Sequence, residues 1–193
     1  MRRRTFDALL AVGGLIVATV LVAAGGLLMW ANNFVDDQVT TQLTAQRIFF
    51  PEAGSESAND PNVKEYIAPY LGQQVTNGEQ ARVFADHYIG VHLQEMAGGK
   101  TYSELSTISR ANPEDAEAAA AVQTAFRGET LRGLLLNAYA FWQMGQIALY
   151  GAIAAFAGAA LLLVLSILGL LHLRRTPAEA EVRIGSGVQA ATA

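Results

Sequence analysis

Two stretches of the chain carry no charged side chain at all, one between Asp7 and Asp36 and one between Arg132 and Arg174. Each exceeds the ~20 apolar residues that cross a bilayer as a helix. The first predicts a span over residues 6–30, with Thr19 its only polar side chain apart from Asp7 at its edge. The second predicts a span over 147–173. Between them, 31–146 reads as helical throughout. Val35, Val39 and Leu43 recur every four residues, so the first span is expected to continue as an amphipathic stalk to Phe49-Phe50-Pro51, where the residue before proline leaves helical geometry. Pro51 to Pro61 reads as a loop.

Helix starts follow. Asp60-Pro61 places a carboxylate before a first-turn proline. Asn77-Gly78-Glu79-Gln80 resembles a capping box and opens a helix to about Ala97, stopped by Gly98-Gly99. Thr101-x-x-Glu104 caps a shorter helix. Asn112-Pro113-Glu114-Asp115 opens one that, with no further proline before Pro177, runs through the second span to about His172, with Gly128, Gly133 and Gly145 as points where it could bend. The expected fold is all-α: two transmembrane helices forming a hairpin, with an extracytoplasmic helical domain between them. The tail over 174–193 reads as disordered and, like residues 1–5, as cytoplasmic.

Charge orients this arrangement. Arg2, Arg3 and Arg4 precede the first span, Arg174 and Arg175 follow the second, and 31–146 holds seven basic against fourteen acidic residues. Basic residues near span ends stay on the cytoplasmic side. The chain is therefore expected in the plasma membrane with both termini inside. Trp30, Tyr139, Trp142 and Tyr150 are expected at the outer interface. A cleaved signal peptide over 1–24 is the alternative to a signal anchor, but the apolar run is longer than a usual signal core. Across all 193 residues the net charge is −4 with no basic stripe, which argues against nucleic acid as a partner, and no cysteine is present to form a disulfide or thiolate metal site.

Candidate chemistry is sparse. His87 and His92 are five apart, ~140° around a helix, and do not share one ion as an i,i+4 pair would. His92 with Glu95 would supply half of a divalent-metal site. The stripe Phe84, Tyr88, His92 and Met96 reads as buried, and Tyr66, Tyr70, Phe84, Tyr88 and His92 outline a candidate ligand cleft. Asp36, Asp37, Arg127, Glu129 and Arg132 are expected to form a membrane-proximal ion-pair set, in which Arg132 meets lipid phosphate or pairs with Asp36 or Asp37. Asn137 and Gln143 are expected to cross-link helices. Small residues at i,i+4, namely Gly14 and Ala18 in the first span and Gly151, Ala155 and Ala159 in the second, read as helix-packing ridges, as does Ala154 with Gly158. No catalytic residue, metal site or cofactor is implied, because phosphate loops, nucleophile elbows and zincin motifs are all missing.

The stretches Gln46-Arg47-Ile48-Phe49-Phe50-Pro51, Gly72-Gln73-Gln74-Val75, Ala85–His92 and Phe126–Tyr139 resemble a family of uncharacterised actinobacterial two-span membrane proteins, over most of the chain except the tail. Some members are labelled aromatic ring-opening dioxygenases, enzymes that hold a non-haem iron with two histidines and a carboxylate. The resemblance implies the two-span architecture and carries over no ligand residue. The first functional expectation is a non-enzymatic membrane protein that binds a protein partner or further copies of itself. A second is a small-molecule sensor or solute-binding accessory acting through a partner, and a third is a membrane-bound metalloenzyme.

Overall fold

The computed structural model describes residues 3–175 and Pro177. Of the tail expected to be disordered over 174–193, Arg174 and Arg175 instead end the last helix; its remainder apart from Pro177, and the first two residues, lie outside the described residues. The described chain is helical, with one isolated antiparallel bridge between Phe49 and Gln74. It divides into two compact units, 31–147 and the apolar segments on either side of it.

The longer unit begins within α1 (Arg3–Gln46). This helix stops three residues short of the expected Phe49. Arg47 takes a left-handed φ of 54°. Ile48 and Phe50 are then drawn into extended pairing, Val75 N–H donating to the Ile48 carbonyl and Phe50 N–H to that of Gln73, both at 2.9 Å. The loop after Pro51 holds one turn, α2 (Glu56–Asn59), capped by Ser55. Asp60-Pro61 does not start a helix as expected. The Asp60 carboxylate and carbonyl accept the N–H groups of Asn62, Val63 and Lys64, which builds a turn ahead of α3 (Lys64–Ile67) and a following 3₁₀ turn.

Asn77 caps α4 (Gly78–Val83) by accepting Gln80 N–H, but the Gln80 side chain accepts from Thr76 N–H rather than closing the box on Asn77. The helix widens into a π turn over Phe84–Ile89 and resumes as α5 (Gly90–Met96). Gly98 and Gly99, at φ 58° and 75°, end it where expected, with Gly99 N–H returning to the Gln94 carbonyl. Thr101 and Glu104 form a complete capping box on α6 (Tyr102–Ala111). The last helix, α7 (Ala116–Arg175), is unbroken over 60 residues. Its cap is Asp115, which accepts Ala118 and Glu117 N–H, so Pro113 and Glu114 precede the helix; Asn112 instead closes α6.

Val39, Leu43, Phe50, Val63, Ile67 and Val75 form the core of this unit with Phe84 and Leu135. The glycines of α7 receive neighbours instead of breaking it: Leu93 seats on Gly128, and Val35 on Gly145, whose carbonyl accepts from the buried Asn32 side chain at 3.0 Å. Trp142, expected at the membrane interface, packs over Gly78. Tyr139 stacks on Trp142 and lies under the Arg82 guanidinium. Asn137 and Gln143 remain exposed and do not cross-link helices, because the α7 faces that meet neighbours carry Leu135, Ala138, Trp142 and Gly145.

In the second unit the apolar parts of α1 and α7 contact each other in antiparallel order, Ala11 against Gly169, Gly14 against Ser166, Leu21 against Gly158 and Leu28 against Gly151. Buried positions recur every seven residues, at Ala11, Ala18 and Gly25 on α1 and at Ala152, Ala159 and Ser166 on α7. That is the heptad spacing of two helices in contact along one seam. Ala18 lies on it, and Gly14 flanks it half-buried against Ser166. On α7 the seam follows heptad spacing, so Gly151 and Ala155 flank it half-buried and Ala154 is exposed. Large apolar side chains point outward, among them Ile16, Leu27, Leu161 and Leu168. Only 17% and 11% of the two apolar windows are buried, whereas the core helix of a soluble protein would be mostly buried. Both helices are long and apolar enough to cross a membrane.

A methyl group at Gly78 would stand 2.5 Å from Trp142 Cγ and 2.8 Å from Cδ2. Overpacking of this kind costs about 1–3 kcal/mol. Gly78→Ala is therefore expected to lower the thermal midpoint of the detergent-solubilised protein by several degrees, and an unchanged midpoint would show that Trp142 is not seated there.

Candidate functional site

Four of the five residues of the expected cleft, Tyr70, Phe84, Tyr88 and His92, stack into one chain of rings. Phe50 is its centre, 5.2 Å from both the Tyr70 and Phe84 rings. Phe84 continues to Tyr88 at 4.8 Å, and Tyr88 to His92 at 4.6 Å. Tyr66 sits apart from that chain, stacked on His87 at 3.7 Å. Met96, expected at the end of the stripe, is 64% exposed. The physical reason is the π turn, whose extra residue rotates everything after Ile89 out of the 3.6-residue register.

The histidines do not converge. His87 faces Tyr66, while His92 Nδ1 lies 2.7 Å from the Tyr88 carbonyl and donates to it as the corresponding tautomer. Glu95 accepts from the Asn62 side chain at 3.2 Å. Among the described residues no group of three His, Cys, Asp or Glu side chains is placed to hold a metal ion. The two-histidine, one-carboxylate set of a non-haem iron does not fit this arrangement.

The charges expected beside the membrane regroup. Arg132 pairs with neither Asp36 nor Asp37, which stay exposed on α1, but with Asp86 in the π turn at 3.0 Å, and it stands 3.6 Å from Glu129 one turn earlier on α7. Arg127 is exposed and joins no ion pair among the described residues. The cause is that Arg132 and Leu135 flank the side of α7 that meets the 78–96 helix. Arg132 Nε is buried beside Gly90 and has no acceptor. These charges border a pocket of about 200 Å³ whose other walls come from α5, the Gly98–Thr101 turn and Ala125. None of the five aromatic-cluster residues lines it.

A second concavity, of about 440 Å³, runs between α1 and α7 of the same unit. Its lining has no charged residue: Phe34, Leu134 and Phe141 supply apolar surface, and Gln38, Gln42, Gln46 and Asn137 supply carboxamides. Neither concavity was anticipated. Gln38, Gln42 and Gln46 at i,i+4 were the readable trace of the groove, whereas Asp86 and Arg132, on separate elements, left none.

Elsewhere in this unit, Glu79 accepts two hydrogen bonds from Arg82, at 2.6 and 3.2 Å. That bonding holds the Glu79 carboxyl below its ordinary value of 4.5, against a smaller opposing effect of burial. Hydrogen bonds from Thr101 do the same for the cap carboxylate Glu104.

Comparisons with protein-family models, with curated proteins and with solved structures find no match to this chain.

Both lowered carboxyls stabilise the fold above pH 4.5 and lose that contribution as the pH falls through their folded values. Glu79 and Arg82 side chains are about a third exposed, 38% and 33%, so the pair contributes no more than ~1 kcal/mol. Glu79→Gln is expected to lower stability modestly at neutral pH, the difference from the parent closing on acidification below 4.5. A pH-independent difference in denaturant unfolding would contradict this.

Proposed function

We propose that the chain is a non-enzymatic membrane scaffold that self-associates through the uncharged groove between α1 and α7. In this reading both apolar helices span the plasma membrane as a hairpin, the first as an uncleaved signal anchor. The helical domain is extracytoplasmic and the arginine-bearing helix ends are cytoplasmic, following the arginine distribution. Kinship with actinobacterial two-span proteins belongs to the same reading and rests on the segments quoted above.

The groove carries the proposal. Residues 31–146 have seven more acidic than basic side chains, so two copies repel one another over most of this surface. The groove is a place where they do not. Phe34, Leu134 and Phe141 there are 53%, 61% and 55% exposed. A two-fold interface sets each surface against its own image, so its polar groups must be self-complementary. Carboxamides are, since each offers both donors and an acceptor, and the groove has four of them. Carboxylates and ammonium groups are not.

Because the chain lacks cysteine, single-cysteine variants read this directly. Gln42→Cys in native membranes is expected to form a disulfide-linked dimer under mild oxidation, Glu117→Cys is not, and adding Phe141→Glu to Gln42→Cys should abolish the dimer. Equal cross-linking at both positions, or a strictly monomeric mass in mild detergent, would overturn the proposal; capture of a different protein at one-to-one stoichiometry would replace self-association by an accessory role. The topology has its own test. An impermeant thiol reagent applied to intact cells should label Glu117→Cys and spare Arg174→Cys, and the reverse pattern would invert the orientation.

A further inference from the structure

We infer that the pocket beside the π turn binds a free α-amino acid, with its carboxylate on Arg132 and its ammonium on the facing carboxylates. The inference is independent of the groove. Four charged side chains line this pocket, Asp86 and Glu129 against Lys100 and Arg132, and they balance. A simple anion entering it meets two carboxylates, and a simple cation meets two basic groups. A small zwitterion can satisfy both sets at once.

The guanidinium has capacity to spare. Of the five N–H donors an arginine carries, four sit on the two terminal nitrogens; Arg132 commits one of these to Asp86 at 3.0 Å, while Glu129 at 3.6 Å lies beyond good hydrogen-bond reach. A second carboxylate would meet donors already held in place. Asp86 and Glu129 each keep an oxygen that Arg132 does not engage, the acceptors an ammonium needs. Asp86 is set by the π turn, whose wide hydrogen bond runs from Gly90 N–H to the Ala85 carbonyl. Gly90 beneath the guanidinium, and Ala97, Gly99 and Ala125 around it, keep the walls low. The volume of about 200 Å³ corresponds to about seven waters, which suits a single amino acid. Val91, Leu93 and Tyr102 offer the side chain an apolar wall.

The test is thermal unfolding of the full-length protein in detergent, titrated with each common amino acid and with acetate and ethylamine as half-ligands. At least one amino acid is expected to raise the midpoint by a few degrees at ~10 Kd, with neither half-ligand doing so at the same concentration. Glu129→Gln should weaken that binding about tenfold or more, the loss expected for a charge-assisted hydrogen bond. Should Arg132→Gln fail to fold, Ala125→Leu fills the pocket without removing a charge and should abolish the shift while leaving the helical circular dichroism intact. No shift with any amino acid would overturn the inference. So would a shift with acetate or ethylamine equal to that with the amino acid, or a shift unaffected by Ala125→Leu.

Discussion

The seating of Trp142 on Gly78 and of Leu93 on Gly128 governs the longer unit. These two contacts fix the 78–96 helix and α7 side by side in antiparallel register, because a side chain at either glycine would hold the helices apart. Everything between them follows from that register. Asp86 comes opposite Arg132, and Gly90 comes against its Nε. Phe84 is turned inward onto Phe50, and the pocket opens where the two helices part toward the Gly98–Thr101 turn. The ion pair is a consequence of this packing rather than its cause. Its side chains are about a third exposed, 36% and 32%, and such a pair contributes less than ~1 kcal/mol. Seating a ring and a leucine on bare backbone contributes more.

The apolar unit solves a different problem with the same residue type. In a hydrocarbon solvent, burying leucine against leucine gains nothing over burying it in lipid, so close backbone approach has to supply the attraction. The seam accordingly holds Ala11, Ala18, Gly25, Ala152 and Ala159, while leucines, isoleucines and valines cover the outside. A water-soluble pair would invert this distribution. The outward placement of Ile16, Leu27, Leu161 and Leu168 is the feature on which the proposed lipid surroundings rest.

What the sequence made readable was local. The Thr101 box, the Gly98-Gly99 stop and the charge-free stretches each reside within a few residues or a single composition, and the Val35, Val39, Leu43 stripe needed only one helix to be read. What escaped involved competition or distance. At 112–115 two capping groups compete: Asn112 closes α6, which leaves Asp115 to open α7. Asp86 and Arg132 are 46 residues apart, and nothing in either neighbourhood names the other. The stripe from Phe84 to Met96 was misread at one end because periodicity assumes an α-helix. A π turn inserts a residue without any turn-forming signature, so the register failed between Ile89 and Met96.

The pocket and the groove both draw on α7, and helix geometry keeps them apart. Arg132 lines the first and Leu134 the second. Two residues at 3.6 per turn stand ~200° apart, so the two concavities occupy opposite sides of one rod. Leu135, only 2% exposed, fills the core between those sides and holds the rod in place. A substitution at Phe141 therefore changes a surface that Arg132 does not face, and one at Ala125 leaves the groove lining untouched. Self-association and amino-acid binding would then be physically separable properties, each able to fail without the other. A charged concavity and a neutral one thus stand on opposite sides of a single helix by nothing more than its 3.6-residue period.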